Sequence, residues 1–231
     1  MTNEDQLALE NFMGTARLFP LPNLVMYPYV VQGLHIFEPR YRQMTADALA
    51  HDRLIALVLL KPGWEAAYDA LPAIYSVACL GRIAADQQLK DGRYNLELRG
   101  LSRVRILEEV RSPKLYRSAR VELLKDCGVT GPQAEQEVRE KLRVLVCTHL
   151  DGQKAAADAF CRLLKSDLYL GTICDIMSFA LPLTMATKQQ LLELQAVEER
   201  AGQLVNAMER MSNSPQSAQS NPQFPPPFSV N

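Results

Sequence analysis

The segment "LHIFEPRYRQM", residues 34–44, packs a histidine, an acid–proline step and two arginines into one short stretch. Two interpretations are open. His35, Glu38 and the arginines could form a catalytic cluster, or the segment could be a joint at which a strand passes into a helix. The choice decides whether these residues carry chemistry or specify the fold.

A helix is predicted to begin inside this segment. Pro39 suits the first helical turn, where its missing N–H leaves no bond unmade, and Phe37 ahead of it can act as a hydrophobic staple. Glu38 and Arg42, four residues apart, can form a local ion pair. Apolar side chains then recur at i, i+3 and i+7, on one helix face: Tyr41, Met44 and Ala48. We therefore predict a structural joint, with core positions at Leu34, Ile36, Phe37, Tyr41 and Met44.

On both sides of this joint the first half of the chain has β-sheet patterns. Residues 17–37 are rich in Val, Leu and Tyr, and their prolines suit sheet edges and turns. "LIALVLL", residues 54–60, is a short apolar run typical of a strand buried on both faces. Asp91-Gly92 is a hairpin signal, and beyond it Tyr94, Leu96 and Leu98 alternate with polar residues. These patterns predict a largely antiparallel sheet.

The second half of the chain has helical patterns. After "CGVTGP", residues 127–132, the pattern predicts helices over 133–150, 154–165 and 169–180, and a long last helix that begins near Thr184. Thr184 is a good N-cap. The last helix carries an apolar stripe at alternating spacings of three and four: Leu194, Val197, Ala201, Leu204, Met208 and Met211. We interpret the stripe as a surface that packs on the neighbouring helices; self-association through it is the alternative.

These elements predict an α+β protein in three parts. A β-barrel domain spans residues 14–126, a helical domain with the long last helix spans 132–211, and residues 212–231 form a tail rich in Ser, Pro and Gln. Such a composition predicts disorder.

Composition excludes several classes of function. The formal charge of −1 gives no general attraction to nucleic acid or anionic membranes, and no apolar stretch is long enough to span a bilayer. The acidic N-terminus lacks the features of a signal peptide, so we expect a cytoplasmic protein. The five cysteines include no C-x-x-C pair, which disfavours a disulfide framework or a zinc site.

Motifs for catalysis or cofactor binding are absent from the sequence. It contains no phosphate-binding G-x-x-x-x-G-K-[ST], no G-x-G-x-x-G, no H-E-x-x-H and no G-x-S-x-G. We therefore expect no cofactor, no metal and no catalytic residue.

A basic strip lies between Arg99 and Arg120. Its arginines could contact RNA phosphates, or they could be the solvated face of an antiparallel sheet. Alternation places Arg103 and Arg105 on one face of a strand. The candidates for RNA contact are Arg103, Arg105, Arg117 and Arg120. No RNA-recognition signature accompanies them, so we favour the solvated face.

The connection over residues 61–73 is a candidate binding loop. It carries the only tryptophan, Trp64, with Tyr68 four residues on, and such rings are enriched at binding hot spots. The alternative is that the rings cover the barrel's own core. We predict that a bound peptide contacts Trp64, Tyr68, Tyr29 and Arg99.

Three segments together resemble the Lon substrate-binding (Lon N-terminal) domain family. They are "LFPLPNLVMYPYVVQGLHIFEPRYRQM", "VACLGRIAADQQLKDGRYNLELRGLSRVRI" and "ALPLTMATKQQLLEL". The first is the most specific, and the resemblance covers about residues 16–211. Cys79-Leu80-Gly81-Arg82-Ile83 departs from the family's usual Val-Gly-Thr-Val-Ala type run.

The resemblance implies a pseudo-barrel related to the PUA fold, followed by a helical bundle. In Lon proteases this region precedes an ATPase and a Ser–Lys peptidase and helps to capture unfolded substrates; neither module is expected here. It therefore implies a protein- or peptide-binding module that is not an enzyme, such as a quality-control adaptor, with unfolded or specific proteins as partners. RNA binding by the PUA-like barrel is the alternative.

Overall fold

The computed structural model describes residues 2–67, 71–128, 131–150 and 152–213. The chain divides into two compact units between Lys125 and Asp126. The predicted disordered tail lies outside the described residues, apart from Ser212 and Asn213, which end the last helix. In the described part of the chain, no helix is long and apolar enough to cross a membrane.

The first unit is a six-stranded sheet that closes on itself. The strands lie in the order β2-β5-β4-β3-β1-β6, and β5 pairs with β6 as well. β5 therefore closes a barrel with β4, β3, β1 and β6, while β2 pairs with the first half of β5. The elements are α1 (Asn3–Glu10), β1 (Thr15–Leu21), β2 (Val31–Ile36), α2 (Pro39–Leu49), β3 (Leu54–Leu59), a 3₁₀ turn (Trp64–Ala67), β4 (Val77–Gln88), β5 (Tyr94–Val110) and β6 (Ser118–Leu124).

β3 separates two apolar clusters, as the sequence predicted for a strand buried on both faces. Ile55 and Leu57 belong to the cluster under α2. Leu54, Ala56 and Val58 belong to the other cluster. Because successive side chains of a strand point to opposite faces, every position of β3 is buried.

The strand-to-helix joint is confirmed, with two corrections. Leu34, Ile36, Tyr41, Met44 and Ala48 are buried. Phe37, which was predicted to be core, is exposed, because it follows buried Ile36 where the chain is still extended and therefore points to the opposite side.

The second correction concerns Glu38. It pairs with Arg40, at 2.8 Å, and not with Arg42. Glu38 is the N-cap of α2 and has extended backbone angles, so the spacing of four that brings side chains together inside a helix does not apply to it. The Arg42 guanidinium lies instead beside Gly92, at the tip of the β4–β5 hairpin.

Helix α1 precedes the predicted start of the barrel domain and was not anticipated. Thr2 is its N-cap residue and forms a capping box with Asp5: each side chain accepts from the backbone N–H of the other residue. Ala8, Leu9 and Phe12 pack against the second apolar cluster. The Thr-x-x-Asp spacing was the signal in the sequence.

The second unit is helical. Its elements are α3 (Pro132–His149), α4 (Lys154–Leu164), α5 (Leu170–Ala180), α6 (Met185–Glu193) and α7 (Val197–Asn213). The first three helices and the N-cap are confirmed: the Thr184 hydroxyl accepts from the Thr187 N–H. A single long last helix is wrong, because the chain leaves helical geometry at residues 194–196.

Tertiary contacts break the last helix. The Cys127 N–H donates to the Gln195 carbonyl at 2.9 Å, and the Val197 N–H donates to the Cys127 carbonyl at 3.0 Å. Residues 195–197 therefore pair with an extended segment and cannot also continue a helix. The apolar stripe is buried in this unit at Val197, Ala201, Leu204 and Met208, so α7 packs as interpreted.

Candidate functional site

β2 is an edge strand whose backbone is open on one side. In the described part of the chain it pairs with β5 alone. The Gly100 N–H donates to the Val30 carbonyl at 2.8 Å. Hydrogen-bonded and non-hydrogen-bonded pairs alternate along an antiparallel ladder. Val31, Gly33 and His35 therefore direct their backbone groups away from β5, toward the open edge.

Apolar side chains flank these backbone groups. Tyr29 is 43% exposed, Val31 44% and Phe37 36%. They alternate with buried residues along the same stretch. Polar backbone and exposed apolar side chains therefore lie side by side along the edge.

The position of Tyr29 depends on a glycine in the neighbouring strand. Tyr29 has a φ of 67°, a left-handed conformation that is costly for a side chain of this size, and its N–H donates to the Gly100 carbonyl at 2.9 Å. A Cβ on Gly100 would lie 2.0 Å from the Tyr27 carbonyl oxygen. Only glycine therefore lets the segment before β2 lie this close to β5.

A buried amide covers part of the open edge. The Gln32 side chain is buried, and its Nε2 donates to the Gly33 carbonyl at 2.7 Å. Proteins commonly protect exposed edges in this way against uncontrolled pairing. The carbonyls of Val31 and His35 remain directed at the edge.

His35 is held by polar neighbours in a single tautomer. Its Nδ1 lies 2.8 Å from the Asn95 Oδ1, and the Arg93 Nη1 lies 3.3 Å from its Nε2. Arg93 can only donate, so Nε2 accepts and Nδ1 carries the proton. The ring stacks on Phe37 with 6.2 Å between centroids. These contacts orient the ring for packing and do not activate a nucleophile.

An ion cluster lies at the other end of the edge. Val31, Arg99 and Arg82 are register partners across β2, β5 and β4 and therefore share one face. Buried Asp5 lies 2.8 Å from the Arg82 Nε and 3.9 Å from the Arg99 Nη1. Burial by itself raises the pKa of Asp5, but hydrogen bonds from Thr2 and Arg82 outweigh it, and the pKa falls below its usual value.

Two of the predicted peptide-binding residues lie beside the edge strand. Tyr29 and Arg99 adjoin β2. Trp64 is half-buried in the connection that enters β4 at Val77, opposite Arg105. Tyr68 lies outside the described residues.

The basic strip is not a free cationic face. Arg103 is only 2% exposed, which corrects the predicted solvated position: at Arg103 β5 lies between β4 and β6, and both of its faces are buried. Arg117 donates to the Glu109 carboxylate and, at 2.8 Å, to the Pro72 carbonyl. The two exposed arginines each form an ion pair: Arg105 lies 3.6 Å from Glu122, and Arg120 lies 3.7 Å from Glu108.

In the described residues, no group of three or more His, Cys, Asp or Glu side chains is arranged to hold a metal ion. The other two histidines bind backbone carbonyls: His51 that of Asp47 and His149 that of Met208.

Comparison with known proteins identifies one family. The family model described as "ATP-dependent protease La (LON) substrate-binding domain" matches residues 15–210. Relatives include Lon protease 1 of Bdellovibrio bacteriovorus, 23% identical over 86% of this chain, and the Lon protease of Escherichia coli K12, 27% identical over 83%. The chain spans only 25% and 24% of these relatives' lengths.

Solved structures show the same fold. The N-terminal domain of the Mycobacterium avium complex Lon protease matches with a TM-score of 0.65 and 16% identity, over 84% of this chain and 98% of that one. The Lon N-terminal domain protein of Xanthomonas campestris matches with a TM-score of 0.58 and 22% identity, over 83% and 97%. The α+β class predicted from the sequence is thus confirmed.

Proposed function

Because the chain belongs to the family of Lon substrate-binding domains, we propose that it is a protein-binding module that holds unfolded segments of other proteins on the open edge of β2. The observation that carries the proposal is that, in the described part of the chain, backbone groups bonded to no other strand lie beside exposed apolar side chains at this edge. An extended peptide can pair with such an edge as an additional strand.

This mode of binding suits unfolded partners. Main-chain hydrogen bonds require no particular sequence, because every residue except proline supplies a donor and an acceptor. Tyr29, Val31 and Phe37 would then contact alternate side chains of the guest, which favours apolar segments of the kind that folded proteins bury. The binding would be tolerant of sequence and selective for the unfolded state.

The proposal includes capture without cleavage, as an adaptor in protein quality control. All five thiols are free, which fits the reducing cytoplasm where we place this activity. Labelled unfolded casein incubated with the purified chain, with and without ATP, should bind and remain intact. Hydrolysis that persists through repurification would contradict the non-catalytic part of the proposal.

Two variants of Val31 separate backbone pairing from side-chain contact. Val31→Pro removes an N–H that points to the open edge and leaves the bonds to β5 in place. Val31→Thr keeps that N–H and a β-branched side chain but adds a hydroxyl. Loss of one hydrogen bond worth about 1 kcal/mol predicts roughly fivefold weaker casein binding for the proline variant, measured by fluorescence anisotropy. Equal affinities for Val31→Pro and the parent chain would contradict strand addition.

A variant of Tyr29 tests the ring alone. Asparagine tolerates the left-handed backbone that Tyr29 adopts, so Tyr29→Asn removes the ring with little change in backbone strain. If the ring contacts the guest, binding should weaken by about tenfold, the range of an aromatic hot spot. Circular dichroism spectra matching the parent chain would control for folding, and unchanged affinity would remove Tyr29 from the site.

RNA binding is less well supported. Of the four candidate arginines, Arg103 is buried, Arg117 is bound to Glu109 and to the backbone, and the other two face acidic partners. Phosphate contacts would have to displace these partners. RNA affinity at low salt that falls when Arg105 and Arg120 become alanine would favour the RNA alternative.

A further inference from the structure

The outward positions of β2 are arranged symmetrically about Gly33. Val31 precedes Gly33 by two residues and His35 follows it by two, and all three direct their backbone groups to the open edge. Tyr29 precedes Gly33 by four residues and Phe37 follows it by four. Both of these aromatic side chains are exposed. The edge therefore carries matching groups at equal distances on either side of one residue.

This symmetry suits an antiparallel pair of identical strands. A two-fold axis makes an interface self-complementary: if one residue contacts a second residue in the other copy, the second also contacts the first. With the axis at Gly33, Gly33 pairs with its own copy and Val31 pairs with the second copy's His35. Each pair joins backbone groups that face outward on both strands, and such a pair exchanges two hydrogen bonds.

Other alignments of the two strands use fewer of these groups. If the axis moves to Gln32 or Leu34, only two of the three outward positions pair with one another, and the third has to pair beyond the ends of β2. The central pair remains available although Gln32 covers part of the edge. The Gln32 Nε2 takes one lone pair of the Gly33 carbonyl, and a carbonyl oxygen has two. The axis at Gly33 is therefore the favoured alignment.

The side chains on the outer face match in the same alignment. Tyr29 meets the second copy's Phe37. Val31 meets the second copy's His35, whose ring stacks on Phe37 of its own chain. Cross-strand pairs of aromatic and β-branched side chains stabilise a sheet. The exposed apolar side chains of both edges would thus be covered at once.

The charges beside the edge do not oppose this pairing. Arg99, the register partner of Val31, lies across from the second copy's Asn95, which is neutral. Glu97, the register partner of Gly33, lies across from its own copy. Three strand spacings separate the two copies of Glu97, about 14 Å, which exceeds the distance over which physiological salt screens exposed charges.

We propose that two copies of this chain pair through β2 in a reversible dimer, antiparallel and centred on Gly33, and that the dimer excludes the unfolded guest. The exclusion follows because one set of backbone groups cannot bond to two strands. It rests on the proposed function, whereas the dimer itself does not. Self-pairing would also protect an exposed apolar edge from uncontrolled association. Because a single pair of short strands is smaller than a standard interface, we expect the dimer to dissociate in the micromolar range.

Sedimentation velocity of the full chain across the micromolar range tests the dimer. The parent chain should pass from monomer to a species of twice the mass as its concentration rises. Val31→Pro removes one outward N–H from each chain, so the dimer loses two hydrogen bonds where a guest complex loses one. The dissociation constant of the dimer should therefore rise by about the square of the fivefold effect on guest binding, or about 25-fold.

Phe37→Ser tests the side chains without touching the backbone bonds. It should weaken the dimer by about tenfold or more, since two aromatic contacts are lost per dimer. Leu107→Ser is the matched control, because Leu107 is also exposed but lies on the half of β5 that β2 does not reach. It should dimerise as the parent chain does, and the circular dichroism spectra of all variants should match.

Gly33→Cys tests the alignment. The Cα atoms of a hydrogen-bonded antiparallel pair lie about 5.5 Å apart, within the range that a disulfide spans. Mild oxidation should give a covalent dimer in which mass spectrometry finds the peptide of residue 33 linked to itself. The parent chain, oxidised in parallel, controls for the exposed thiols of Cys127 and Cys147.

The proposed dimer is overturned if the chain stays monomeric throughout the range, if Val31→Pro and Phe37→Ser dimerise as the parent chain does, or if the introduced thiols do not link. Excess unfolded casein should convert the dimer to casein-bound monomer. Casein that binds the dimer without dissociating it overturns the exclusion. Casein that binds neither form overturns the proposed function and leaves the dimer standing.

Discussion

Replacing Arg200 should destabilise the helical unit more than any change to its surface ion pairs. Arg200 is fully buried on α7. Its guanidinium donates to both oxygens of Asp126, at 2.9 and 2.6 Å, and to the Leu194 carbonyl at 2.7 Å. Its Nε lies 3.3 Å from an oxygen of buried Asp175. One side chain thus joins the start of the unit, α5 and the break before α7.

The expected magnitude follows from what Arg200→Met would leave behind. The buried carboxylate of Asp175 would lose the guanidinium of Arg200, and the Leu194 carbonyl would lose its charged donor. Breaking a buried pair by removing one partner costs about 3–5 kcal/mol. With a urea m-value of about 2 kcal/mol per molar, the unfolding midpoint should fall by on the order of 2 M.

Urea unfolding followed by far-ultraviolet circular dichroism measures this change, because the second unit supplies most of the helix. Arg143→Met is the matched control in the same unit. Its partner Glu140 is exposed, so we expect the control to unfold at the urea concentration of the parent chain. A midpoint for Arg200→Met equal to that of the control would refute the reasoning.

A double variant distinguishes charge from packing. Adding Asp175→Asn to Arg200→Met removes the buried charge that Arg200 faced and should restore part of the lost stability. If the double variant is no more stable than Arg200→Met alone, the cost comes from the cavity and not from the carboxylate.

The pKa of Asp5 is depressed in the folded chain. The ionised carboxylate of Asp5 should therefore stabilise the fold fully above about pH 5, and this contribution should disappear as the pH falls below 3.8, the unfolded value. Urea denaturation of the parent chain and of Asp5→Asn at a series of pH values measures the contribution. Gly100→Ala should lower the free energy of unfolding by about 3 kcal/mol, because the added Cβ meets a backbone carbonyl. Gly202→Ala, in open space on α7, should raise that free energy by about 0.5 kcal/mol. Equal urea midpoints for the two variants would contradict both expectations. Limited proteolysis should trim the tail after Met211 first and then cut near residues 127–132, and early cleavage inside 185–210 would contradict a docked last helix. Fluorescence of Trp64 that shifts on adding unfolded casein would place its loop at the binding surface, while an unchanged spectrum with strong destabilisation by Trp64→Ala would show a core role.

Some parts of the fold follow from local chemistry and were predictable. The start of α2 at Pro39, the Asp91-Gly92 hairpin and the burial of β3 each rest on preferences that act within a few residues. Membership of the family was also recognisable, because these local signals recur together in a fixed order.

Other parts depend on contacts between distant segments. The stripe on the last helix was recognised, but helical periodicity continues through residues 194–196, and only the backbone pairing with Cys127 and the bond from Arg200 to Leu194 break the helix there. In the same way the alternation of β5 correctly places Arg103 and Arg105 on one face. It does not reveal that the closed barrel buries one of them.

The candidate site also divides into features set by local sequence and features set by contacts between distant segments. The sequence by itself determined which residues are apolar, which segments are extended and that Tyr29 and Arg99 lie near a strand, because these are properties of short stretches. Only the tertiary structure decided that β2 lies at an edge and that Gly100 lets the Tyr27 carbonyl approach β5. The physical reason is that strand order and helix pairing are chosen by the burial of the whole apolar surface, a sum over contacts distant in sequence that no local pattern contains.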